Sequence, residues 1–407
     1  MTAHDYVLQH WKDTVRTPGV DDTQSFVKLP KPFTTPTAGD YFKNFYYWDT
    51  YFTNVGLLTD GLTEQAENNL DIMAFFVEKI GYVPNADHFL NGSQPPFFTR
   101  GVYDLYEKTK DKRVISKFKD AVISELAFWD GDRTLSVGLS QYRTNRPASK
   151  LDGDYEYFVN RVGGLTETEK QIPPHKLARD FLAIGESGWD CNARFKTDTN
   201  RFATYDFAAL DLNCILYDAE SKISFMCTEV GDNANAERFL TKSRKRKSLI
   251  ESFMKDRKTG VYYDYDYKAD KLSTVLSAAS LFPYAFGVSN DAAACEKIFK
   301  RLDLPHGLST AEYRGNDLYF QWDYPNMWAP IVYAAYLALK NTGNIEHAKT
   351  LKNQYLDTVE SVYNETGKLW EKYDAATGKV STSIEYETPP MMGWTAAVYE
   401  YLYNEKI

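Results

Sequence analysis

Apolar residues recur at steps of three and four along much of the chain. Leu62, Ala66, Leu70, Met73, Val77 and Ile80 form one series, with mostly polar residues between them. That spacing puts the apolar side chains on one face of a helix, which turns once in about 3.6 residues. Ile115, Phe118, Val122 and Leu126 repeat it, as do Leu210, Cys214, Leu216, Tyr217 and Ile223. The same reading predicts helices over 292–302, 328–340, 346–363 and 394–403. Alternation of period two is scarce outside 261–267. Turn signals separate the periodic stretches, among them Pro84-Asn85, Ser93-Gln94-Pro95-Pro96 and Thr388-Pro389-Pro390.

The expectation is an all-α chain of about ten to twelve helices joined by long loops. No low-complexity linker divides it and no strict repeat appears. The Pro/Thr-rich stretch 30–40 is the nearest thing to a boundary. We therefore expect a lead-in segment over 1–38 and one helical domain over 39–407, with two domains as the alternative.

Charge and composition narrow the chemistry. The 407 residues carry 47 basic and 56 acidic side chains, a net charge of −9, which argues against nucleic-acid binding. Lys242-Ser243-Arg244-Lys245-Arg246-Lys247 is the one basic run, read as a solvated helix face. No stretch reaches the length of a membrane span. The start, Met1 to Arg16, lacks the pattern of a signal peptide, so the expected compartment is the cytoplasm. Cys191, Cys214, Cys227 and Cys295 show no zinc spacing and are expected as reduced thiols. Aromatics are abundant, with 8 Trp, 30 Tyr and 24 Phe. Tyr and Trp join an apolar face to a polar tip, the combination that stacks on a sugar ring and bonds its hydroxyls.

Phosphate-loop, HExxH and GxSxG motifs are missing, and the six histidines have no ligand spacing. No metal or cofactor is expected. What remains are carboxylates beside aromatics, in loops. Four clusters stand out: Phe45-Tyr46-Tyr47-Trp48-Asp49, Gly185-Glu186-Ser187-Gly188-Trp189-Asp190, Gln321-Trp322-Asp323-Tyr324-Pro325-Asn326, and Glu385-Tyr386-Glu387 before Gly393-Trp394. Glycosidic cleavage needs one carboxylic acid to protonate the leaving oxygen and one carboxylate to activate water or attack carbon. An aromatic wall keeps such an acid protonated by desolvating it.

These clusters resemble the trehalase family of glycoside hydrolases. Phe45 to Phe52 is similar to its first signature. Gln321 to Pro330 is similar to its second, with Met327 where the family has glycine. Arg146-Pro147, Asp211-Leu212-Asn213 and Glu371-Lys372-Tyr373-Asp374 are also family-like and in order, so the resemblance spans about residues 39–403. It implies an (α/α)6 barrel and an inverting mechanism. By motif position Asp190 resembles the general acid, and Glu385, nine residues before Trp394, the general base. Trp48 and Asp49 resemble the floor of the glucose subsite. The resemblance further implies sugar contacts from Phe42, Tyr46, Asn85, Gln94, Arg146, Glu186, Gly188, Trp189 and Trp322. Asp323 reads as a structural support for Trp322, and Glu387 as a reserve carboxylate.

Departures cluster on the leaving-group side. The family's Gly-Gly-Arg-Phe reads Gly39-Asp40-Tyr41-Phe42, the arginine before Ser-Gln-Pro-Pro is Gly92, and Arg-Pro-Glu is Arg146-Pro147-Ala148. Ser381-Thr382-Ser383-Ile384 replaces the glycine-rich approach to the base. Each lost charge-assisted hydrogen bond is worth about 1.5–3 kcal/mol. The expectation is an exo-acting, trehalase-like α-glucoside hydrolase, a monomer or weak homo-oligomer acting on a small neutral saccharide, with a non-trehalose α-glucoside such as glucosylglycerol or glucosylglycerate as the alternative substrate. A trehalase, a phosphorylase and a sugar-binding protein on the same barrel stay open at this point.

Overall fold

The computed structural model describes residues 1–20, 25–39, 41–162, 164–315, 320–382 and 385–407. Fourteen helices occur among them: α1 Ala3–His10, α2 Tyr47–Thr59, α3 Thr63–Ile80, α4 Phe98–Thr109, α5 Lys112–Asp130, α6 Leu151–Arg161, α7 Pro174–Glu186, α8 Leu210–Glu229, α9 Asn233–Phe253, α10 Phe282–Ala285, α11 Ala292–Leu302, α12 Ala329–Asn341, α13 Ile345–Thr366 and α14 Gly393–Asn404.

Six of them close an inner ring. Helix α2 packs on α4, α4 on α8, α8 on α10, α10 on α12, α12 on α14, and α14 returns to α2. An inner helix is covered on every side, so its sequence is apolar or small all round. In α2 all residues but the last are buried, and in α12 all but the last two. Gly56 in α2 lets α14 approach so closely that an added Cβ would lie 2.5 Å from Ala397.

The outer helices α1, α3, α5, α9, α11 and α13 each bury one face against this ring, and the architecture is an (α/α)6 barrel. Their amphipathic spacing is what the sequence displays. Asp111, Asp232 and Asp291 cap α5, α9 and α11 by accepting from backbone N–H groups of the first turn. Gly81 and Gly367 end α3 and α13 in the left-handed conformation. Helix α1 lies in the stretch read as a lead-in and packs against α13 and α14. Helices α6 and α7 form a hairpin outside the ring, between α5 and α8.

Two expectations need correction. Trp48 and Asp49 lie in the first turn of α2 and not in a loop. The basic run lies on α9, but Arg246 turns inward and donates to Glu220 at 2.9 Å, while Lys242 reaches Asp130 at 2.6 Å. An inward arginine against a buried glutamate fixes α9 to α8, while Arg244 and Lys245 of the run stay exposed as the solvated face expected.

Candidate active site

A cavity of about 670 Å³ opens at the end of the ring where α2, α12 and α14 begin. Its floor is indole. Trp48, Trp322, Trp328 and Trp394 all line it, and Trp322 stacks on Trp328 with centroids 3.9 Å apart and planes 5° from parallel. Trp48 lies 5.5 Å from Trp322 and 6.0 Å from Trp394. Gly188 passes directly over Trp48: its φ is +71°, and an added Cβ would sit 2.6 Å from the indole. Only glycine combines that backbone angle with that approach.

The walls carry carboxylates. Asp49, Asp154, Asp190, Glu371 and Glu387 line the cavity, with Arg161 as the one lysine or arginine among the lining residues. Asp49 is held well above the usual carboxylate range, chiefly by burial and then by the neighbouring Glu371 and Asp190. Glu371 is also raised by burial, against the opposing pull of Lys372, whose Nζ donates to it at 2.9 Å. Tyr386 donates to the same carboxylate at 2.8 Å. Burial raises Asp190 too, opposed by Arg161, whose Nη2 donates to it at 3.0 Å. The Asp190 side chain remains 37% exposed.

The acid-bearing loop is anchored from beneath. Arg194 is fully buried and donates to Asp211 and Asp264, each at 2.8 Å. Its guanidinium also sits 4.3 Å over Trp189. Ala193 N donates to Asp323 at 3.1 Å, so this carboxylate ties the Asp190 loop to the Trp322 loop.

Most residues expected at the site do meet in this cavity: Phe42, Tyr46, Trp48, Asp49, Asn85, Gln94, Gly188, Asp190 and Trp322. Gln94 accepts from Trp48 N at 3.1 Å, and Tyr47 N donates to Asn85 O at 3.0 Å, so both loops are registered on the start of α2.

Four residues lie elsewhere. Arg146 donates twice to Asp154, at 2.8 and 2.9 Å, and is not among the lining residues. Glu186 accepts from Ser93 N at 2.9 Å, Arg143 N at 2.7 Å and Arg133 Nε at 2.9 Å, which makes it a buried bracket for the Gln94 loop. Trp189 is wholly buried beneath Trp322. The Glu385 side chain is fully buried and is not among the lining residues, whereas Glu387 is. Glu385 accepts from Gln321 N at 3.0 Å and lies 3.8 Å from Arg161 Nε. Burial pushes its pKa up to about 7, against the hydrogen bond from Gln321 and the charge of Arg161. Of the departures, Tyr41 lines the cavity, while Asp40, Ser383 and Ile384 lie outside the described residues.

The structure adds residues that no cluster marked: Asp154, Tyr157, Phe158 and Arg161, at i, i+3, i+4 and i+7 along α6. That spacing puts all four on one helix face. It was readable in the sequence, but with nothing to say what the face would meet.

Comparison with known proteins agrees with this geometry. The sequence profile of the trehalase family matches residues 2–405. The periplasmic trehalase of Escherichia coli O1:K1 is 30% identical over an alignment 405 residues long, covering 95% of this chain and 70% of that one. Among solved structures, the neutral trehalase of Saccharomyces cerevisiae superposes with a TM-score of 0.75 at 21% identity, over 98% of this chain and 79% of that one. The GH63 mannosylglycerate hydrolase of Thermus thermophilus, solved with glucose, gives 0.68 at 16% identity, over 99% and 100%. The chain belongs to the trehalase family and is a glycoside hydrolase.

Proposed function

We propose that the protein is an inverting, exo-acting α-glucoside hydrolase, with Asp190 as general acid and Glu385 as general base. The observation that carries this is one guanidinium between two carboxylates. Arg161 contacts Asp190 through Nη2 at 3.0 Å and approaches Glu385 through Nε at 3.8 Å. Those two nitrogens of a planar guanidinium are about 2.3 Å apart, so the contacting oxygens are separated by at most about 9 Å. That bound admits the roughly 6.5–9.5 Å of an inverting pair, with a water between base and anomeric carbon, and also the roughly 5–5.5 Å of a retaining pair, so the choice of inversion rests on the family resemblance.

In this reading Asp190 gives its proton to the glycosidic oxygen as the C1–O bond breaks. Glu385 takes a proton from water, which attacks C1 from the opposite face. The products are β-glucose and a free alcohol. Asp49 and Gln94 bond the sugar hydroxyls, and the indole floor packs on the ring.

Glu387 is the second reading for the base, because it lines the cavity and Glu385 does not. Asp190→Asn, Glu385→Gln and Glu387→Gln decide the matter. The proposal predicts that the first two lose about 10²–10⁴-fold in kcat on an alkyl α-glucoside and the third less than tenfold. A reversal of Glu385→Gln and Glu387→Gln would move the base.

The leaving group is proposed to be something other than glucose. Tyr41 stands on the cavity wall where the resemblance leads one to expect arginine, and Arg146 is held by Asp154. Comparable kcat/KM on trehalose and on every other α-glucoside would count against this. A cytoplasmic location is supported by Cys191, Cys214, Cys227 and Cys295, all buried and unpaired, although the relatives from E. coli are named periplasmic. Cell fractionation separates the two compartments.

A further inference from the structure

Seven aromatic side chains are strongly exposed among the described residues, and three of them border this one cavity. Tyr41 is 61% exposed, Tyr157 60% and Phe89 37%. Single exposed aromatics are ordinary on a protein surface, but several around one opening mark a binding surface.

The residues flanking these rings are packed, and Tyr157 is itself hydrogen-bonded. Phe42, with a φ of +48°, meets Tyr46 edge-on at 5.7 Å, and Tyr46 meets His88, the neighbour of Phe89, edge-on at 5.7 Å. On α6, Phe158 stacks on Phe181 at 5.3 Å with planes 8° apart, and Arg161 Nη1 donates to the Tyr157 hydroxyl at 3.3 Å. A pre-oriented ring loses little freedom when it stacks on a ligand.

Charge is scarce here as a means of gripping a leaving group. Arg161 is engaged by Asp190, and Arg146 and Asp154 satisfy one another. Beside the exposed Glu387 and the half-buried His88, what the outer wall offers a leaving group is the flat faces of Tyr41, Phe89 and Tyr157. We infer that Tyr41, Phe89 and Tyr157 form a leaving-group subsite that selects α-glucosides whose aglycone presents a ring face, over small acyclic aglycones such as glycerol. The inference rests on the hydrolase reading above and deepens it.

Benzyl and methyl α-glucoside test it, because benzyl alcohol and methanol are similarly acidic and intrinsic leaving ability does not separate them. α-Glucosyl fluoride, which has no aglycone to stack, is the reference. The expected result is a kcat/KM for the benzyl glucoside at least about tenfold above the methyl glucoside. Tyr41→Ala and Tyr157→Ala should each lower the benzyl-to-methyl ratio of kcat/KM by about tenfold, and Tyr41→Phe should keep it. Both tyrosines are exposed, so folding is little affected. Equal rates on benzyl and methyl glucosides, or unchanged ratios in both alanine variants, would overturn the subsite while leaving the hydrolase intact. Failure to turn over the fluoride would overturn the hydrolase reading, and the subsite with it.

Discussion

Arg161 donates to Asp190 at 3.0 Å, and the Nε of the same guanidinium lies 3.8 Å from Glu385. Both carboxyls are raised by burial, and Arg161 opposes that rise in both. Asp190 also faces Asp49 on α2 and Glu371 and Tyr386 beside α14, while Glu385 faces Cys191 and Gln321 N.

The sign of the Arg161 effect follows from the roles proposed for Asp190 as acid and Glu385 as base. The base must be ionised, so the acidic limb of kcat/KM reports Glu385 and falls near pH 7. The acid must be protonated, so the basic limb reports Asp190. Removing a cation that favours both charged forms raises both values. Arg161→Ala should therefore move both limbs to higher pH, with Arg161→Lys intermediate. A pH profile that keeps its limbs and loses only height would reduce Arg161 to a structural role.

Gly188→Ala should be costly in both stability and rate. It forces an L-residue to a φ of +71° and drives a methyl group to 2.6 Å from Trp48. The backbone strain alone is about 1–3 kcal/mol. Thermal melting should show a Tm lower by a few degrees, and kcat/KM should fall as the indole floor shifts. An unchanged Tm would mean that Trp48 yields easily.

Glu125 on α5 ties pH to stability. It accepts from the Tyr47 hydroxyl, which itself accepts from Phe98 N at 2.9 Å, so one tyrosine joins the starts of α2 and α4 to α5. Burial pushes the Glu125 pKa up to about 8. The folded state thus holds a proton that the unfolded chain gives up near pH 4.3. Its contribution is complete below that pH and is lost as pH rises towards 8. Glu125→Gln should raise Tm at pH 8.5 and change it little at pH 4.5. A stabilisation equal at both pH values would contradict the assignment.

The buried Arg194 between Asp211 and Asp264 gives a separable test of the acid loop. Arg194→Met leaves two uncompensated carboxylates and should cost about 3–5 kcal/mol in denaturant unfolding. Adding Asp211→Asn and Asp264→Asn should recover part of this. No recovery would mean that the guanidinium acts mainly by packing on Trp189.

Much of this was legible in the chain. The outer helices α3, α5, α11 and α13 announced themselves because each buries a single face, as with Leu62 to Ile80. The inner α8, α12 and α14 were legible too, whereas apolar spacing did not mark the outer α1 and α9. Helix α2 escaped as well, since it is covered on all sides and Trp48-Asp49-Thr50-Tyr51-Phe52 has no polar face to set the period. The motifs brought Trp48, Asp49, Asp190 and Trp322 to one cavity. They did not foresee that Arg146 pairs with Asp154 and Glu186 with Arg133, because residue type shows that a charge needs a partner but not which one. Arg161 and Tyr157 escaped notice because α6 packs on α7, outside the ring.

The central claim is inversion by Asp190 and a base across the anomeric carbon. It is tested most directly by following hydrolysis of benzyl α-glucoside by proton NMR, before the sugar mutarotates. The account predicts β-glucose first, with the α-anomer appearing only at the rate of spontaneous mutarotation. α-Glucose as the first product would contradict it.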